Sequence, residues 1–252
     1  MTAQQSIDPG AGPLARAARL GLWALPVWAA LLCLSTLTEQ PSWKTDLAGW
    51  SRYVTTDRFL ASHLIGSILG AAIGALGMVA LGAVLARRAH PAAGLWTMVI
   101  GVFGNVLAAS AFGVAAFTQP ALGRAYLAGH TAQARLLVAT AANGGWLSAT
   151  IITSGLLLIA SAVVAGVGVA RTGSLPRAAG IGFAVSMVLF VLANIPDKGP
   201  WQAIAGALMT ASTVWIAVAA GRRRVPAPVG AGDAVPAASH PGTAHSKPAG
   251  AR

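Results

Sequence analysis

One histidine, His63, is the residue of this sequence best placed to carry chemistry inside an apolar helix. It lies in FLASHLIGSILG, residues 59–70, about one helical turn after an apolar run begins. An imidazole there can hydrogen-bond, accept a proton, or bind haem or a metal ion. A metal site needs further ligands, and the histidine that could assist, His130, has no carboxylate or cysteine at ligand spacing. We therefore predict no cofactor, with haem or metal binding at His63 as the alternative.

Uncharged polar residues are the other candidates for a binding site. Asn105 lies near the middle of the third apolar run, and Asn143 and Asn194 lie near the outer ends of later runs. An amide inside hydrocarbon must find a hydrogen-bonding partner, so it either joins neighbouring helices or lines a pocket. The predicted ligand-binding residues are His63, Ser67, Asn105, Asn143, Asn194 and His130. No residue is predicted to be catalytic.

The composition indicates that membrane-spanning helices position these residues. Of the 252 residues, 56% are hydrophobic and 9% are charged, and the mean hydropathy is +0.68. This is more apolar surface than a soluble core could bury. The net charge of +11 would favour nucleic acid as a partner of a soluble protein, but here the basic residues cluster at the ends of apolar runs. The bilayer is therefore the predicted partner, and nucleic-acid binding is excluded.

Six apolar runs are long enough to cross a hydrocarbon core about 30 Å thick. They cover residues 20–38, 59–86, 94–117, 146–170, 178–196 and 201–220, and none contains Asp, Glu, Lys or Arg. The predicted fold is an all-α integral membrane protein, with six transmembrane helices over residues 20–220. Residues 1–19 are predicted to be a cytoplasmic segment. Residues 221–252, rich in proline, alanine and glycine, are predicted to be a disordered cytoplasmic tail.

The basic residues also predict the orientation. One side of the predicted membrane carries Arg16, Arg19, Arg87, Arg88, Arg171, Arg177, Arg222, Arg223 and Arg224, and the other carries Lys44, Arg52, Arg58, Arg124, Arg135 and Lys198. The first group lies in short segments without acidic residues, so both termini are predicted to be cytoplasmic. The alanine-rich composition favours a bacterial source, and hence the bacterial plasma membrane.

The first outer connection, residues 39–58, has an amphipathic pattern. Four large apolar residues recur at helical spacing, namely Trp43, Leu47, Trp50 and Val54. This predicts a short helix that lies in the outer interface of the membrane.

The second outer connection, residues 118–135, is predicted to be a loop. The uncharged stretch that follows, residues 136–170, would be about 52 Å long as one helix, which exceeds any bilayer core. Asn143–Gly145, NGG, is the predicted break. It is either a loop above the membrane or an interruption at membrane depth.

Small residues align with the polar ones on the second and third runs. At about 100° per residue, Gly66, Gly70 and Gly74 lie within about 60° of His63, which predicts that His63 faces protein. Small residues also surround Asn105 on its helix. We therefore predict that these two runs pack face to face, with Asn105 either joining helices or forming the floor of an outward-facing cavity.

Two similar turns, ARRAHPAAG and ARTGSLPRAAG, predict paired hairpins from the second to fifth runs. These hairpins would form a four-helix core, with the first and sixth runs outside it.

Three classes of function fit these features. The sequence favours a noncatalytic membrane partner or assembly subunit, which would contact another membrane protein or a second copy of itself. The alternative is a carrier or sensor that binds a small uncharged or amphipathic solute. The third class is a haem- or metal-binding membrane protein that uses His63. Because no run contains a carboxylate, a proton-coupled pump is disfavoured.

Overall fold

The computed structural model describes residues 12–37, 40–88, 90–193 and 200–222, and every regular element within these ranges is a helix. The all-α prediction is therefore confirmed. The helices are α1 (Pro13–Gly21), α2 (Ala24–Ser35), α3 (Leu47–Val54), α4 (Asp57–Ala61), α5 (Gly70–Ala86), α6 (Pro91–Leu127), α7 (Thr131–Thr140), α8 (Gly145–Arg171), α9 (Arg177–Leu192) and α10 (Pro200–Gly221). A π-helical segment, Ser62–Leu69, joins α4 to α5. Asn194 and the predicted disordered tail lie outside the described residues, apart from Gly221 and Arg222.

Five segments in the described ranges are long and apolar enough to cross a membrane. They are Pro13–Ser35, Asp57–Ala86, Pro91–Leu127, Thr131–Arg171 and Pro200–Gly221. The chain is therefore of the multi-pass membrane type. Helix α9 is also apolar, but its 16 residues are about 24 Å long, shorter than a hydrocarbon core of about 30 Å.

The long helices form a closed ring. Each packs against its neighbour in the order α2, α5, α6, α8, α9 and α10, and α10 packs against α2. The structure does not separate a four-helix core from an outer pair, because Trp28 of α2 and Ile216 of α10 are buried in the same core as Met78 and Phe183. Helices α2 and α10 place these large side chains in the shared core, so both helices are part of its wall.

Glycines allow α5 to approach both of its neighbours closely. A Cβ atom at Gly82 would lie 2.5 Å from the carbonyl oxygen of Gly94 on α6, so these two helices pack through small residues. Gly82 is about 100° from His63, however, and lies outside the predicted glycine face. That face packs mainly against α2, where a Cβ atom at Gly77 would lie 2.8 Å from the side chain of Leu25, and not mainly against α6 as predicted.

The prediction of a loop over residues 118–135 was wrong. Helix α6 continues to Leu127, only Ala128–His130 connect it to α7, and its 37 residues are about 55 Å long. The extension packs against α3: a Cβ atom at Gly123 would lie 2.7 Å from Val54. This packing holds the extension in place, although Pro120 lies inside the helix and cannot donate a backbone hydrogen bond.

The predicted short helix in the first connection is present as α3. Asp46 caps its N-terminus by accepting a hydrogen bond from the Gly49 amide at 2.7 Å. The apolar side of α3 is buried against protein, in a cluster that we call the helical cap. The helical cap consists of Leu47, Trp50, Val54, Phe59, Leu122, Val138 and Ala142. The apolar pattern of α3 therefore reflects its packing in this cluster, which also contains Leu122 of α6 and Val138 of α7, and its predicted position in the outer membrane interface stays a prediction.

The predicted break at NGG is also present, since α7 ends at Thr140 and α8 begins at Gly145. Ser154 of α8 is hydrogen-bonded to Gly104 of α6, which places these two residues at the same level. Counting along α6 from Pro91 to this level, and then along α8 to Gly145, gives about 33 Å. This exceeds a hydrocarbon core of about 30 Å, so the geometry favours a loop beyond the membrane.

Candidate functional site

A cavity of about 240 Å³ lies inside the ring, and all six long helices contribute to its wall. Its polar lining residues are Ser35, Thr36, Gln40, Ser62, His63, Ser67, Asn105, Ser154 and Gln202. Aromatic and aliphatic side chains form the rest, including Trp28, Phe112, Met187 and Phe190. None of the described residues that line the cavity is Asp, Glu, Lys or Arg. A small apolar space with a few uncharged hydrogen-bonding groups is typical of a site for a neutral solute.

His63 lies at one end of this wall, in the π-helical segment. Its Nδ1 is 2.9 Å from the carbonyl oxygen of Phe59, and its ring lies on the Phe59 ring with centroids 4.1 Å apart. Since a carbonyl only accepts, Nδ1–H is the donor in this hydrogen bond. The π-helical geometry was not predicted. Such segments are frequent at functional sites.

The Phe59 contact joins the cavity to the helical cap. Phe59 is fully buried in the cap, and its other face meets Tyr53 edge-on, with ring centroids 5.6 Å apart. The position of the His63 ring is thus set by packing outside the cavity as well as by its own helix. Asn105 lies deeper in the wall than His63, because Gly74, which contacts Asn105, follows His63 by eleven residues, or about 16 Å along the helix.

Asn105 lies in the wall at this deeper level and is 2% exposed. Its Nδ2–H donates to the carbonyl of Gly101 at 2.8 Å, which fixes the orientation of the amide. Its Oδ1 is buried and has no hydrogen-bonding partner. A Cβ atom at Gly74 would lie 2.6 Å from this oxygen, so glycine is required for the amide to fit. An unmet buried acceptor costs about 1–3 kcal/mol, and such groups are often completed by a bound molecule.

Two further polar residues tie the wall together near Asn105. The Ser154 hydroxyl donates to the carbonyl of Gly104 at 2.9 Å and joins α8 to α6. Gln202 of α10 donates to the carbonyl of Phe190 on α9 at 3.4 Å. Ser67 is buried and lines the same cavity. Ser154 and Gln202 thus bond to backbone carbonyls of neighbouring helices, so they help to fix the shape of the wall.

The structure brings together three of the predicted site residues, His63, Ser67 and Asn105. Asn143 lies away from the cavity and donates from Nδ2 to the carbonyl of Val138 at 2.9 Å, where it closes the end of α7. His130 is exposed at the start of α7. Among the described residues, no group of three or more His, Cys, Asp or Glu could hold a metal ion.

Sequence reasoning missed six polar residues of the wall: Ser35, Thr36, Gln40, Ser62, Ser154 and Gln202. Single serines and threonines are common in membrane helices, where they can bond to their own backbone. Ser35 and Thr36 do so, to the carbonyls of Leu32 and Cys33. Their types therefore carry no signal of a site, and only the ring geometry assembles them.

Comparison with known proteins adds no family to this description. No protein-family model matches the chain, and neither a curated protein nor a solved structure matches it.

Proposed function

We propose that this protein is a membrane carrier or sensor that binds a small, uncharged, amphipathic solute inside the ring of helices. The observation that carries the proposal is the cavity to which all six long helices contribute and whose polar lining groups are all uncharged side chains or histidine. A ligand in contact with every helix is sensitive to movements of any of them. That sensitivity is what a carrier or a sensor requires.

The lining limits the chemistry of the solute. A buried charge without a partner is costly, and the described lining supplies no opposite charge. A hydroxyl or amide donor on the solute would satisfy the unpaired Oδ1 of Asn105 after a small side-chain rotation. Its apolar part would lie against Trp28 and Phe190. A neutral molecule the size of a substituted benzene, with one donor group, fits these conditions.

The sequence alone favoured a noncatalytic membrane partner. In a protein with that function, the polar side chains are expected to hydrogen-bond to one another inside a closed bundle. The wall differs from this expectation, because Ser154 and Asn105 bond to backbone carbonyls, Asn105 keeps an unmet oxygen, and an open volume lies beside them. These features support solute binding over a purely structural role.

The proposed topology has six spans, with the arginine-rich ends inside and the helical cap outside. Helix α9 would be the fifth span in spite of its length. It is antiparallel to α8: Gly180 meets Gly166 near one end of the pair, and Val191 meets Gly155 near the other. A short span of this kind is accommodated by local thinning of the bilayer.

Cysteine labelling tests whether α9 crosses the membrane. Cys33 is the single natural cysteine and is replaced by serine as the background. Ala178→Cys, at the start of α9, should react only with reagent on the cytoplasmic side, and Trp201→Cys, at the start of α10, only with reagent outside. Labelling of both positions from the same side would show that α9 does not cross.

Benzyl alcohol, with benzoate and benzylammonium as charged probes of the same size, tests the solute class. Equilibrium dialysis against the purified chain, corrected for empty detergent micelles, should detect saturable binding of the alcohol alone. Mass spectrometry and an absorption spectrum of the native preparation complete the experiment. Saturable binding of benzoate would refute the uncharged class, and a Soret band would favour the haem alternative.

Two variants of His63 should separate its ring packing from its polar chemistry. His63→Phe retains the ring contact with Phe59 but removes both ring nitrogens. Because His63 lies far along the helix from the level of Asn105, where the hydroxyl of benzyl alcohol is proposed to bind, we expect a wild-type melting temperature and wild-type affinity. His63→Gln, which retains hydrogen-bonding capacity, should also bind as the wild type does. A loss of binding of about tenfold in His63→Phe but not in His63→Gln would place the hydroxyl at His63 instead of Asn105.

A further inference from the structure

A second feature lies on the outside of the ring, between α8 and α9. The two helices touch backbone to backbone, since a Cβ atom at Gly166 would lie 2.5 Å from the carbonyl oxygen of Gly180. Next to this contact is a groove with apolar walls that include Val167, Ile181 and Val185. These three side chains are 44%, 48% and 50% exposed. The groove therefore faces away from the core, toward the bilayer.

Two arginines close one end of the groove. Arg171 is the last residue of α8, Arg177 is the first residue of α9, and both line the groove. Both are exposed. Arg88 lies at the same end, because its guanidinium donates to the Ser174 hydroxyl in the turn between these helices. The groove is thus apolar along its length and positively charged at its mouth.

No acidic residue in the described part of the chain offsets this charge locally. The two that the structure describes, Asp46 and Asp57, belong to the N-cap of α3 and the first turn of α4, at the opposite end of the bundle. Arg177 also stands at the N-terminus of a 16-residue helix, where the helix dipole adds to the attraction for an anion. The end of the groove is therefore suited to a phosphate group.

The dimensions match one leaflet of a bilayer. From Arg171 back to Val163, the most distant lining residue on α8, is about 12 Å along the helix, compared with about 15 Å for the hydrocarbon of one leaflet. A phospholipid whose headgroup meets the arginines would thus place an acyl chain along the apolar walls.

We infer that this groove is a specific binding site for an anionic phospholipid, with its phosphate between Arg171 and Arg177 and one acyl chain along α8 and α9. Basic pockets between membrane helices bind such headgroups by the same combination of charge and apolar contact. The site lies outside the ring, and it does not depend on the proposed function of the central cavity.

Native mass spectrometry of the full chain tests the site, with phosphatidylglycerol and phosphatidylcholine of identical acyl chains as the probes. The wild type should retain phosphatidylglycerol more tightly. Arg171→Gln combined with Arg177→Gln should weaken its binding by about 30-fold, or about fivefold for each arginine. The matched control, Arg124→Gln with Arg135→Gln, removes the same charge from exposed positions outside the groove and should bind as the wild type does.

A second pair of variants tests the acyl-chain part of the site without changing charge. Val167→Trp should fill the groove and weaken retention of phosphatidylglycerol, whereas Val106→Trp, on the exposed side of α6, should not. Free sn-glycerol 3-phosphate should fail to compete, because it lacks an acyl chain. Equal retention of the two lipids, equal losses in both arginine pairs, or full competition by glycerol phosphate would each overturn the inference. Melting temperatures verify that every variant is folded.

Discussion

Gly82→Ala should be among the most damaging single-methyl substitutions in this protein. The new Cβ atom would lie 2.4 Å from the Met98 side chain and 2.5 Å from the carbonyl oxygen of Gly94. The side chain could move, but the backbone carbonyl belongs to a packed helix and cannot retreat without separating α5 from α6. We expect a loss of about 1–3 kcal/mol of unfolding free energy, typical of overpacking. Thermal unfolding in detergent, followed by fluorescence and size-exclusion chromatography, measures it.

Alanine substitutions at two other glycines are the controls for Gly82→Ala. Gly113→Ala, on α6, adds its methyl group to open space, so the variant should be as stable as the wild type or more stable by about 0.5–1 kcal/mol. At Gly70 the nearest atom, the Leu31 Cβ, would be 3.6 Å away, which is ordinary contact, and Gly70→Ala should be tolerated. If Gly82→Ala has the same melting temperature as Gly113→Ala, the close approach of α5 and α6 does not stabilise the fold.

Asn105→Leu should show the opposite behaviour, with loss of binding but retention of stability. Leucine has the same branched arrangement of heavy atoms as asparagine, and it removes both the buried oxygen that has no partner and the amide that donates to Gly101. Replacing a half-satisfied buried amide by an apolar group is close to neutral or stabilising. Binding of benzyl alcohol should nevertheless fall about tenfold or more, because the hydroxyl loses its acceptor. Equilibrium dialysis and thermal unfolding of the same preparation provide the two measurements.

Thr97→Val is the matched control for Asn105→Leu. Thr97 lies on the same helix, is fully buried, and has a hydroxyl oxygen without a partner, but it does not line the cavity. Its replacement should also preserve or raise stability, while binding stays at the wild-type level. A loss of binding in both variants would point to a general change in α6. Unchanged binding in Asn105→Leu would remove Asn105 from the site.

Periodicity and run length predicted the helices of this fold well, but they could not predict which contacts are close. The small-residue pattern around Gly70 identified a packing face of α5 correctly. The pattern treats Gly70 and Gly74 alike, however, whereas a Cβ atom at Gly70 would make only ordinary contacts and one at Gly74 would lie 2.6 Å from the Asn105 oxygen and 2.8 Å from the Trp28 ring. Helix projection gives the direction of a residue, but the separation of two helices depends on side chains from both.

Departures from regular geometry explain the remaining errors. The projection from His63 assumed 3.6 residues per turn, yet Ser62–Leu69 is π-helical, with a wider turn. The third apolar run ends at residue 117, and the sequence predicted a loop beyond it, where Pro120 also disfavours a helix interior. Packing of Gly123 against Val54 outweighs that preference. At the end of α6, therefore, a tertiary contact between residues far apart in the sequence overrides the local tendency.

The candidate site was also predictable only in part. His63 and Asn105 stand out because a histidine and an asparagine are unusual in apolar runs, so residue type alone identified them. Gln202 could not be identified in this way, since it lies at the end of α10 beside an exposed tryptophan, where a glutamine is unremarkable. Its place in the wall follows from the closure of α10 onto α2.

That closure has a consequence for biosynthesis. The Cys33 thiol donates to the carbonyl of Ala203 at 3.3 Å, so this seam joins residues 170 positions apart, and a Cβ atom at Gly206 would lie 2.9 Å from Cys33. Because the helices enter the membrane in the order of their synthesis, almost the whole remaining chain must be made before α2 can pack against α10. Until then the ring lacks the wall that α10 supplies between α2 and α9. The cavity is therefore closed only after α10 is delivered, and in a chain that stops before α10 it would be open where Gln202 now lies.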